Sequence, residues 1–139
     1  MKLVFAAPAA QAAPPVPFTI TEHIDSDAGE FSFTASSPLC ERGTFEDDVH
    51  AVGGGNASIP EINLLIRTVF TCENGDTFFA QKHVFIAFNE DGSFTNTGPV
   101  TLQGGTGALT GLSGHGVDNG ATNSEGVGDG KITGVLKLS

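Results

Sequence analysis

Few residues in this chain are suited to chemistry, and most of those lie inside runs that alternate apolar and polar side chains. Arg67 stands in the middle of "EINLLIRTVFTC", with Glu61 and Asn63 on the same parity. His83 stands in the middle of "TFFAQKHVFIAF", on the parity of Phe79 and Phe85. If those two faces line one cavity, Arg67 and His83 with Glu61 could orient an anionic or enolic substrate. The competing expectation is an exposed Arg67–Glu pair across strands and a half-buried His83. Glu22 and His23 are adjacent, so on a strand at most one of them faces inward. His115, set between glycines, is expected on the surface. No Ser-His-Asp order and no Cys-His nucleophile pattern can be assembled from these residues.

Metal chemistry finds no support in the residue types. Two cysteines cannot make a four-ligand zinc site, and His50, His83 and the Asp residues near them lack ligand spacing. If the protein is exported, Cys40 and Cys72 are expected to form a disulfide. It would close a loop of about 31 residues, worth roughly 3–4 kcal/mol in the chain-entropy model. The alternative is a pair of buried free thiols. Asn56-Ala57-Ser58 is a glycosylation sequon that matters only in a eukaryotic secretory host.

Charge narrows the partners. The net charge is −10, from 16 acidic residues against 6 Lys and Arg. Binding to phosphate needs clustered Lys and Arg, which this chain lacks, so neither nucleic acid nor an anionic membrane surface is expected as a partner. The glycine-rich stretch "GGTGALTGLSGHG" (104–116) is not a nucleotide site. No Lys follows it as a phosphate loop requires, and no helix follows its Gly-x-Gly spacings. The repeat unit of calcium-binding β-rolls is also missing. No cofactor is expected.

The elements that must position these residues read as strands. A chain of 139 residues fits one domain. With 19 Gly and 11 Phe but no Trp or Tyr, the composition favours pleated, turn-rich structure. Period-two alternation predicts strands over Phe18–Ile24, Glu30–Ala35, Gly43–Ala51, 61–72, Thr77–Phe88 and Ser93–Leu102. In Gly43–Ala51, Asp47 breaks the pattern. In Thr77–Phe88 both faces are apolar. Phe78, Val84, Ile86 and Phe88 share one, and Phe79, Phe85 and Ala87 the other, so this strand should be covered on both sides or lie in an oligomer interface. Asn74-Gly75 predicts a type I′ hairpin turn. The acidic stretch 118–130 reads as a turn region. The glycine run 104–116 is expected to be a bent, closely packed strand, with "KITGVLKL" as the last strand. Residues 1–15 resemble the end of an export signal or a disordered Ala/Pro-rich segment outside the fold. About eight short strands predict an all-β antiparallel barrel or sandwich over 16–139.

"GTGALTGLSGHG" (105–116), then an acidic Gly-rich hairpin and "GKITGVLKL", resembles the allene oxide cyclase-like barrels. This group includes the dirigent proteins and small bacterial relatives. The resemblance covers roughly the last 60 residues. It implies an antiparallel eight-stranded barrel with little or no helix, an apolar cavity, no cofactor, and assembly as a homodimer or homotrimer. Two functions are compatible with it. One is a secreted, non-catalytic barrel that binds a small apolar ligand in its lumen. The other is a cofactor-free cyclase or isomerase acting on a hydrophobic intermediate. A lumen filled by Phe favours an inert barrel, and inward ionisable groups beside a cavity favour chemistry.

Overall fold

The computed structural model describes residues 14–54 and 61–138. The alternating runs become β1 (Val16–Asp25), β2 (Glu30–Ala35), β3 (Arg42–Gly54), β4 (Glu61–Cys72), β5 (Thr77–Phe88), β6 (Phe94–Gln103), β7 (Ser113–Thr122) and β8 (Val127–Lys137). Each strand pairs antiparallel with the next, and β8 returns to β1 from Val16↔Leu136 to Asp25↔Val127. The result is a closed eight-stranded barrel, the fold class expected from the sequence. Closure gives every strand two neighbours and leaves little free edge, the exception being β3 beyond Thr44, where pairing with the short β2 ends. Among the described residues the only helical element is a 3₁₀ turn at Gly107–Leu109. Most of segment 1–15 and the sequon at Asn56 lie outside the described residues, and β1 starts at Val16.

The hairpin at Asn74-Gly75 forms, but not with the predicted turn. A type I′ turn needs φ > 0 at both central residues. Here Gly75 has φ 93° and no non-glycine residue has positive φ. Instead the Gly75 amide donates to the Cys72 carbonyl and the Cys72 amide donates to the Asp76 carbonyl. That is a three-residue loop with glycine in the left-handed position, which supplies the strand twist at one residue instead of two.

The glycine run also differs from its expectation. Residues 104–112 form a loop around the 3₁₀ turn, and β7 starts only at Ser113. The loop carries Leu109 and Leu112 into the core, so their burial, not strand pairing, organises this segment. Conversely, residues 118–122 extend β7 into the stretch read as a turn, which is confined to 123–126. Asp47 interrupts the apolar face of β3 without interrupting the strand: it takes the inward parity of Phe45 and Val49 and lines the lumen. Phe88 shares the parity of the buried Phe78, Val84 and Ile86 but is 43% exposed. It closes the end of the strand, its ring 5.5 Å from that of Phe94.

The interior splits in two along the barrel axis. One end holds the loops 36–41, 73–76 and 104–112 and is filled by side chains. Phe70 and Phe78 stack at 4.6 Å, and Phe33 meets Phe70 edge-on at 5.1 Å. Leu39, Leu109 and Leu112 from the loops plug this end. The expected Cys40–Cys72 disulfide forms here, with Cα atoms 5.9 Å apart. It ties the loop after β2 to the end of β4, beside the Phe cluster. At the other end Leu64, Val84 and Ile86 form a separate, smaller apolar cluster.

Candidate functional site

Between the two apolar clusters lies a layer of polar residues, placed there by strand parity. On β5 the buried positions are Phe78, Ala80, Lys82, Val84 and Ile86, so Lys82 must point where its apolar neighbours point. On β1, Phe18 and Ile20 are buried with Glu22. On β7 the inward series is Gly114, Gly116, Asp118, Gly120 and Thr122, which is small everywhere except at Asp118. Lys82, Glu22 and Asp118 are each only 3–4% exposed. Lys82 Nζ donates to Glu22 Oε1 at 2.7 Å and to Oε2 at 2.9 Å. Asp118 Oδ2 lies 3.9 Å from Nζ and accepts from Asn96 Nδ2 at 3.1 Å. Thr68, fully buried, donates its hydroxyl to Asp47 Oδ1 at 2.6 Å. Asp118 Oδ1 is buried and has no hydrogen-bond partner among the described residues.

The electrostatics follow from this burial. Burial pushes the Asp118 carboxyl above its ordinary value, against the pull of the Lys82 ammonium. It also pushes Glu22 up, opposed by the charge and hydrogen bonds of Lys82. For Lys82 burial acts the other way, but Glu22, Asp118 and Asp47 together outweigh it and hold the ammonium above its ordinary value. Two buried carboxyl groups, with the exposed Asp47 at the margin, thus share one buried cation. A buried ion pair of this kind contributes little net stability compared with apolar packing.

The polar layer is the floor of a cavity of about 280 Å³. Its walls are apolar and include Ile24, Leu64, Ile66, Val84, Ile86 and Phe94. β2 is short and pairs with β3 only from Ser32↔Thr44 to Thr34↔Arg42. Beyond Thr44 the edge of β3 is therefore unpaired by β2, and Asp47 and Val49 are exposed at the cavity's side. Convergent polar groups at the base of an apolar cup are the usual form of a small-ligand site.

The residues singled out from the sequence stand elsewhere. Arg67 and His83 are both on the outer wall, because the inner positions of β4 and β5 are Thr68 and Lys82. The Arg67 guanidinium lies over the Phe79 ring at 5.3 Å, and His83 stacks on Phe85 at 5.2 Å. The condition that their faces line one cavity is not met. Glu61 shares the backbone parity of Arg67 at the start of β4, and its side chain lies outside the description. His115 is exposed, as expected. His23 faces away from the lumen and bonds Asp129 at 2.8 Å, so Glu22 is the inward member of that pair. The sequence contained part of a signal for the inner site: Lys82 has the parity of Phe78, Val84 and Ile86, but the other face of β5 is apolar as well, so parity alone did not select the buried side. Asp118 carried none, because its strand partners in β7 are glycines that look like a turn. Among the described residues no group of His, Cys, Asp and Glu could hold a metal ion.

No family model matches the sequence, and no match is found among curated proteins or solved structures.

Proposed function

We propose that this protein is a secreted barrel that binds a small, largely apolar ligand in the open half of its lumen. The carrying observation is the 280 Å³ cup with apolar walls and a buried Lys82–Glu22–Asp118 floor. A buried ion pair is often no more stabilising than apolar packing of the same volume, which supports a role for the polar floor in ligand recognition. The disulfide fits an oxidising compartment, and among the described residues no helix is long and apolar enough to cross a membrane. A closed antiparallel barrel with a lumenal cavity is also in keeping with the allene oxide cyclase-like resemblance.

A second reading, cofactor-free cyclase or isomerase chemistry, draws on one specific feature. The Asp118 carboxyl is raised by burial and faces the cavity beside a fixed ammonium, an arrangement that can hold and transfer a proton. The outer apolar residues Leu65, Phe85 and Val117, each about 45% exposed, support the homodimer or homotrimer reading.

The binding reading is tested by methyl NMR with octanol as a neutral apolar probe. Octanol is expected to shift Leu64, Val84 and Ile86 and to leave Leu102, Ile132 and Leu136 in place. Absence of shifts at the first three sinks the reading.

A further inference from the structure

We propose that the floor of the cavity receives a protonated amine, so that the ligand is a small ammonium compound with an apolar body. The inference rests on the lumenal binding reading and names the head group that this site selects.

Three observations favour a cation. First, the positive group already present is committed. Lys82 directs two of its three N–H bonds at Glu22, at 2.7 and 2.9 Å, and stands 3.9 Å from Asp118. Its charge already faces Glu22 and Asp118, and with Asp47 at the margin the layer holds more carboxyl groups than cations, which disfavours an anionic head. Second, Asp118 Oδ1 is buried without a partner among the described residues. A buried acceptor without a donor is costly, and a carboxylate oxygen gains most from a charged N–H. Third, the space beside that oxygen is kept by Gly130. A Cβ at Gly130 would stand 3.4 Å from Asp118 Oδ1, 3.7 Å from Glu22 Oε1 and 3.9 Å from the Asn119 carbonyl oxygen. Alanine would therefore fit as ordinary contact, and neither a left-handed φ nor a backbone clash requires glycine. What the missing Cβ does is leave room against two carboxylates.

The approach to the cup agrees. The described hairpin loops at the open end, residues 26–29, 89–93 and 123–126, carry Asp27, Glu90, Asp91 and Glu125 and no Lys or Arg. That field attracts cations and repels carboxylates such as fatty acids.

The test is an NMR titration of the full chain with octylamine, octanol and octanoate at neutral pH. These probes share one tail and differ in the head. Octylamine is expected to bind at least about tenfold tighter than octanol, and octanoate more weakly than either. Asp118→Asn should reduce the preference of amine over alcohol to within about twofold. Gly130→Ala, which keeps every floor carboxylate but places a methyl against them, should do the same. It also serves if the Asp118 variant fails to fold. Octanol binding as tightly as octylamine would overturn the amine inference and leave the lumenal site standing. Retention of the full amine preference in Gly130→Ala would likewise overturn it. Failure of all three probes to reach Leu64, Val84 and Ile86 would overturn both.

Discussion

The two halves of the lumen are built from the same strands with the same alternation, yet one is solid and the other is a cup. At the disulfide end five strands send in Phe, on β1, β2, β3, β4 and β5, and the loops add Leu39, Leu109 and Leu112. At the other end the inward residues are mid-sized aliphatics, and the described hairpins there are short and polar, with no apolar plug. An eight-stranded barrel is just wide enough for side chains to fill it. A cavity therefore needs only smaller residues on a few inward positions and the removal of the plug. The polar layer lies at the boundary. Its side chains are buried from one side by the Phe cluster and meet the cup on the other, which is how Lys82 can be fully enclosed and still line a ligand site.

The contrast is broken most severely at the boundary. Lys82→Met leaves Glu22 and Asp118 buried without their cation and is expected to cost about 3–5 kcal/mol at neutral pH, measured by urea denaturation. The loss should shrink on acidification. Both carboxyls have folded-state pKa values raised mainly by burial. A group raised in this way contributes stability that is fully present below its unfolded value and disappears as pH rises through the folded one. The variant should thus approach the wild-type protein only near and below the ordinary carboxyl range. A penalty that does not vary with pH would mean that the two acids are not charged at neutral pH.

Truncation should separate the halves themselves. Phe70, fully buried and stacked on Phe78, should lose about 3–5 kcal/mol as Phe70→Ala, because the solid half cannot collapse around the void. Ile86→Ala removes a wall residue from a cavity that already exists, so little new void forms and the cost should sit near the low end, about 2 kcal/mol. Equal losses in chemical denaturation would argue that the cup closes in solution.

The smallest effects are expected outside the barrel. Arg67→Ala and His83→Ala remove a cation–π contact and a surface stacking contact, each worth about 1 kcal/mol or less at exposed positions. Octanol should still reach the Leu64, Val84 and Ile86 methyls in both variants. Loss of binding in either would move the site back to the residues first suggested by the sequence.

Much of the fold was written in local chemistry. Alternation marked the strands, and Gly and Asn marked the hairpins. These signals are local because strand parity and turn geometry depend on a few consecutive residues. Alternation also put Arg67 and His83 on one parity each and Lys82 on the other. It could not say which parity was the inside of β5, where both faces carry Phe. That choice was made by closure, which brought the Phe78–Ile86 face against β1 and β4 and left Phe85 to solvent. The same closure set Glu22, Lys82 and Asp118 within bonding distance although 60 residues separate the first two. It also turned Gly130 from a presumed turn residue into the gap beside their carboxylates. A pairing across the lumen is a property of the closed barrel's diameter and register. No stretch of sequence contains it, because only the three-dimensional packing of distant strands determines which charges must share one buried space.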